Sequence, residues 1–208
     1  MNAKKLLLSK LKILKYHMFY SRRYYIFEKC LDKISQNQSI EKLAFGAEYK
    51  LAEKPEDINM LFKKGYDLGL CPYSGKLEEK LKAGAKVIFI FIGRKAVHVT
   101  WLFTGAGVKP FDEVFERYFF EGVGYIGPCV TDRDNRGKGL YRFALSKACS
   151  VFYEREIKKA MICSSTKNIA SQKGIEGAGF RRVKEFVFIR FMFVNYFFFI
   201  KKAGIHVL

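Results

Sequence analysis

The chain has 208 residues, of which 50% are hydrophobic and 16% aromatic, enough apolar material for one domain and too much for a disordered chain. Lys and Arg number 38 against 20 Asp and Glu, a formal net charge of +18, which points to an anionic partner. The five cysteines are odd in number and form no C-x-x-C pair, and there are three histidines, so neither a disulfide framework nor a zinc site is expected. Free thiols in a reducing cytosol are the expectation.

Residues 3–18 predict a basic amphipathic helix, with Leu7, Leu11, Leu14 and Met18 on one face and Lys4, Lys5, Lys10, Lys12 and Lys15 around it. It fits either an anionic membrane surface or the domain's own core. The lysines interrupt the apolar run, so no signal peptide is expected. Nor does any window reach the ~18 uninterrupted apolar residues of a spanning helix; the nearest runs from Phe186 to Ile200 and carries Arg190 and Asn195.

Tyr24-Tyr25-Ile26-Phe27 predicts a short strand, and Ser35-Gln36-Asn37-Gln38-Ser39 a loop. Tyr49 to Ala52 predicts a strand. Pro55-Glu56-Asp57-Ile58 opens a helix, with Ile58, Leu61 and Phe62 as its apolar face and Gly65 as its stop. A second helix is expected from Gly75 to Ala83. Lys86 to Ile92 and Val97 to Phe103 predict a hairpin turning at Gly93-Arg94-Lys95. His98 reads as a satisfied strand residue rather than a base. A short helix or turn is expected from Pro110 to Arg117, and a strand from Tyr118 to Thr131.

The most informative stretch follows. The end of that strand feeds Arg136-Gly137-Lys138-Gly139-Leu140-Tyr141, and a helix is expected from Gly137 to Ile157. A strand, a Gly-rich turn and a helix N-terminus together make a phosphate-holding device. The spacing is neither a Walker A loop nor a dinucleotide fingerprint. Ala160 to Cys163 predicts a strand parallel to its predecessor. Asn168 caps a short helix that Gly177-Ala178-Gly179 ends. The tail from Arg182 to Ile200 reads as strand with a bend at Val194-Asn195-Tyr196.

Arg136 and Gly139, with Asn168, Ser171 and Gly179-Phe180 downstream, resemble the paired motifs of the GNAT acetyltransferase superfamily; Tyr141 departs from the first. The resemblance covers roughly residues 44–190, so residues 1–40 are read as an extension and 41–208 as the domain. It implies an α/β fold with a mixed, mostly antiparallel central sheet flanked by helices, here preceded by the basic N-terminal helix. It implies acetyl-CoA or another acyl-CoA as co-substrate. The pyrophosphate would sit on the N–H groups of Gly137, Lys138, Gly139, Leu140 and Tyr141, beside the charges of Arg136 and Lys138. The pantetheine arm would pair with Cys129, Val130 and Thr131, where that strand splays from Met161-Ile162-Cys163. Asn168 and Ser171 complete the expected cofactor site, which holds no metal.

The chemistry implied is acyl transfer to a primary amine, most simply of a small molecule such as an amino sugar nucleotide. Alternatives are a protein amine or a non-catalytic CoA-binding module. The family's usual proton donor falls at Ile175, so Tyr141, or Tyr125, is the substitute phenol; Glu121 is the candidate base. Cys129 reads as a buried thiol rather than a nucleophile. The expected setting is cytoplasmic, with membrane contact through residues 3–18, a homodimer through the apolar tail, and no nucleic acid.

Overall fold

The structure is a computed structural model and describes residues 19–32, 46–104, 122–191 and 194–200. The expected basic helix at 3–18, the loop around 35–39 and the turn at 110–117 lie outside these residues, as does Glu121. Among the described residues eight strands form one sheet. They are β1 (Phe19–Cys30), β2 (Ala47–Ala52), β3 (Lys86–Ile92), β4 (Lys95–Thr104), β5 (Val123–Thr131), β6 (Lys159–Ser165), β7 (Arg181–Phe191) and β8 (Val194–Phe199). The helices are α1 (Pro55–Lys63), α2 (Leu77–Lys82), α3 (Leu140–Tyr153) and α4 (Ile169–Gly177). Short 3-10 turns precede α2 (Ser74–Lys76) and α3 (Arg133–Asn135).

The strand order is β2-β3-β4-β5-β6-β1-β7-β8. Among these strands only β5 and β6 pair with each other in parallel, through the α3 crossover, as a helix-length connection requires. All other neighbours are antiparallel.

Both faces of the sheet are covered, so the middle strands are apolar on both sides. Val87, Phe89 and Phe91 of β3 pack with Ile58, Leu61, Leu77 and Leu81 of α1 and α2. Ile88 and Ile90, pointing the other way, pack with Phe143, Ala144, Phe152 and Ile175 of α3 and α4. Among the described residues no helix is long and apolar enough to cross a membrane.

Several expectations change. The strand expected at Tyr24 to Phe27 runs from Phe19 to Cys30 and bonds β6 on one side and β7 on the other. Ile26 enters one core and Phe27 the other. The boundary at residue 40 therefore falls within a single sheet, not between an extension and a domain. Phe62 is 58% exposed: only Ile58 and Leu61 reach the sheet, and Phe62 lines a surface groove beside α2 instead. Helix α3 starts at Leu140 rather than Gly137, because Gly137 and Gly139 both have φ +77, outside helical backbone. In the tail, Phe191 pairs with Val194, so the chain reverses before the bend expected at Val194-Asn195-Tyr196.

Candidate functional site

The site begins where two parallel strands part. β5 pairs with β6 from Val123–Lys159 to Ile126–Ile162, and no further. Just beyond, β4 and β5 slip register: Thr100 faces Cys129 and Leu102 faces Ile126, so Gly127 and Pro128 oppose Trp101 alone. This bulge re-aims the end of β5 away from β6. Gly127 supplies the φ of +136 that the bulge needs.

The freed edge of β5 has defined polarity. Asp132 N–H donates to Val97 O at 2.9 Å across the β4–β5 ladder. By antiparallel alternation, the main-chain groups of Val130 also face β4, and those of Cys129 and Thr131 face the gap. The Arg136 Nε, which donates to Thr131 O at 3.3 Å, reaches that carbonyl from the gap side.

Next to this edge lies the turn into α3. An added Cβ at Gly137 or Gly139 would meet nothing within 4 Å, so both glycines line open space. Helix α3 has no side-chain cap, which leaves the first N–H groups of the helix pointing out beside its positive end. Lys138 Nζ donates to Asn135 Oδ1 at 2.8 Å and, like Arg136, is exposed. Leu140 is buried, so it offers this turn only its main chain.

A cleft of about 280 Å³ occupies the gap. Cys129, Tyr141, Asn168 and Ser171 line it, together with Tyr125. Asn168 Oδ1 accepts the Ser171 N–H at 3.2 Å, capping α4 as expected. The Tyr141 hydroxyl lies 3.3 Å from Ser171 Oγ. Burial pushes the Tyr141 phenol well above its usual range; the nearby Cys129 adds to this and the Ser171 hydroxyl opposes it. At neutral pH the Tyr141 phenol is therefore protonated.

Other candidates are set aside by their surroundings. Ile175 is fully buried against α3 and does not reach the cleft. His98 is fully buried, with Nδ1 2.7 Å from Thr131 Oγ1 and Nε2 2.7 Å from Thr100 Oγ1. Burial lowers its pKa to about 3, so it is neutral and occupied at both nitrogens. Burial pushes the Cys129 thiol up to about 12, against a smaller pull from Thr100. That suits a thiol at rest, not a nucleophile. Among the described residues no group of three or more His, Cys, Asp or Glu is arranged to hold a metal ion.

Motif reasoning did not reach Ser164 and Ser165 of β6, Arg22 and Tyr24 of β1, or Tyr73 from the connection between α1 and α2, all of which line the cleft. The period-two run Tyr20, Arg22, Tyr24 was the available signal, a polar-aromatic face on a strand.

No family model matches the sequence, and no curated protein matches it either. Solved structures do resemble it. A GCN5-related N-acetyltransferase-like protein from Streptococcus suis superimposes over 86% of this chain with a TM-score of 0.55 at 12% identity. The chain has the GNAT fold. A GNAT-family acetyltransferase from Colwellia psychrerythraea aligns over 89% of the chain (TM-score 0.51, 15% identity). A GCN5-related N-acetyltransferase from Sphaerobacter thermophilus aligns over 86% (TM-score 0.51, 14% identity). The chain spans 65%, 61% and 55% of those three structures, respectively. At such identities the likeness is one of fold. In this fold Tyr141, from the first resemblance motif, and Asn168 and Ser171, from the second, line one gap.

Proposed function

We propose that this protein is an acyl-CoA-dependent N-acyltransferase, with acetyl-CoA as donor and the primary amine of a small molecule as acceptor. One observation carries the reading. The open Gly137-Lys138-Gly139 turn, the uncapped start of α3 and the free edge at Cys129 and Thr131 adjoin one another. Fold alone would not license a function; this arrangement of groups supports one.

The residues fit the donor. Main-chain N–H groups from Gly137 to Tyr141, with Arg136 and Lys138, would hold its pyrophosphate. Cys129 and Thr131 would pair with its extended arm, whereas the main chain of Val130 is turned to β4, leaving that residue a packing role. Asn168 and Ser171 form the facing wall. Bound acyl-CoA supplies an activated thioester, whose acyl carbon joins the amine nitrogen as the C–S bond breaks. Tyr141 holds the proton that the departing thiolate takes. Glu121 is proposed to take the proton from the amine.

A second reading is a CoA-binding module without catalysis. The burial of Ile175, where the family usually has its acid, favours it. Isothermal titration with CoA tests both. One site is expected, weakened at least about tenfold by Arg136→Glu through charge reversal beside the pyrophosphate. No binding at millimolar CoA sinks both readings. Steady acyl transfer to any member of a primary-amine panel eliminates the non-catalytic one.

A further inference from the structure

The cleft in the β5–β6 gap is lined from both faces of the sheet, and the two sides differ in chemistry. Tyr141 and α4, with Asn168 and Ser171, stand on the α3 face. Arg22, Tyr24, Tyr73 and Tyr125 line the rest. Tyr20, Tyr24 and Ile26 pack into the core beneath α1 and α2, and strand alternation puts Arg22 on that same face. Tyr125 belongs to that core too, and Tyr73 immediately precedes the turn into α2. The side opposite the Gly137–Gly139 turn is therefore built from one guanidinium and three phenols. No carboxylate is among the described residues lining the cleft.

Arg22 is placed to reach a ligand. β1 overruns β6: its pairing with β7 starts at Phe19, but with β6 only at Tyr24. Arg22 thus stands beyond the last rung of β6, at the rim of the gap, and is exposed. Its guanidinium lies 5.4 Å from the centre of the Tyr20 ring and beside the Tyr24 hydroxyl. Among the described residues it has no acidic partner. Its neighbour Arg23, on the other face, pairs with Glu185 at 3.7 Å. Arg190, opposite Tyr20 in the β1–β7 register and stacked over Phe188, adds a second guanidinium to the Arg22 face.

We infer that the acceptor is an amine that carries an anionic group of its own, a carboxylate or a phosphate, and that Arg22 holds that group. This rests on the acyl-CoA reading above, which assigns the α3 face to the donor and leaves the opposite side to the acceptor. A guanidinium presents forked donors that match both anions. The phenol rings beside it present flat apolar faces to the ligand's body. A polyamine or a Lys-rich peptide meets no carboxylate there and faces a chain of net charge +18.

The test uses matched pairs: L-phenylalanine against L-phenylalaninamide, and D-glucosamine 6-phosphate against D-glucosamine. Each is titrated calorimetrically into the full-length, CoA-saturated protein, and each is assayed as an acceptor with acetyl-CoA. In at least one pair the anionic member should bind at least about tenfold more tightly, the size of one charge-assisted contact. Arg22→Gln should abolish that preference without changing the Kd for CoA, and Arg22→Lys should retain part of it. The pair that responds tells a carboxylate from a phosphate. Equal behaviour within both pairs, or a preference that survives Arg22→Gln, overturns the inference. Failure to bind CoA overturns the acyl-CoA reading instead; CoA binding without anion preference overturns the acceptor assignment alone.

Discussion

The Tyr141 hydroxyl sits 3.3 Å from Ser171 Oγ, joining the first turn of α3 to the first turn of α4 beside the gap in the sheet. The half-buried phenol is protonated at neutral pH, and it is the proton donor proposed above in place of the position that Ile175 occupies. Tyr141→Phe should lower kcat about a hundredfold, the scale of a lost general acid. The KM for acetyl-CoA and the Tm should stay close to wild type. A kcat within twofold of wild type would remove Tyr141 from the chemistry.

That phenol has room only because residue 174 is glycine. A Cβ there would lie 2.7 Å from Tyr141 Cδ1. Gly174→Ala should therefore destabilise the fold by about 1–3 kcal/mol, as overpacking does, and shift the ring from Ser171. Combining it with Tyr141→Ala removes the clash. Urea unfolding of the double variant should then show a loss smaller than the sum of the two single losses. Simple additivity would mean that the ring and residue 174 do not meet.

Cys129 lies at the edge where the acyl group is expected, yet its thiol is held at about 12 by burial. Thiolate is scarce at neutral pH, so no covalent acyl-enzyme should form there. Intact-mass measurement after incubation with acetyl-CoA, without acceptor, should show no acetylated Cys129 in the peptide map. Cys129→Ala should keep kcat within about threefold of wild type. An acetylated Cys129 peptide would replace direct transfer with a two-step route.

His98 makes stability depend on pH. Its folded pKa is depressed to about 3 from 6.5. Between those values the unfolded chain binds a proton that the folded chain does not. The stability His98 contributes is complete above about 6.5 and is lost as pH falls toward 3, at up to about 1.4 kcal/mol per pH unit. Urea unfolding at pH 7, 6 and 5 should show a steeper decline for wild type than for His98→Gln. Parallel declines would show that His98 is accessible to protons in the folded state.

Much of this protein is determined by local sequence. Lys86 to Ile92 is a strand because an unbroken apolar run suits a strand covered on both faces, and it is observed with those bounds. Pro55-Glu56-Asp57 starts a helix because its fixed φ and carboxylates suit a first turn, and α1 begins at Pro55. Asn168 caps α4, as its position before a helical run requires. The turn at Gly137 and Gly139 was legible too, since glycines before a helix tolerate the positive φ that both adopt. Tertiary structure alone decided the rest. β1 is interior because two strands distant in sequence, β6 and β7, leave a place between them, and no local pattern records a partner more than a hundred residues away. The gap opens at Ile126 because a bulge against Trp101 turns β5 aside, a relation between two strands. The cleft then gathers Arg22, Tyr73 and Tyr141 from three separate segments. The motifs indicated where a donor's phosphates would rest. What lines the gap from the other face of the sheet depended on which side of β1 each residue points to, and that was fixed only when β1 was held on both edges.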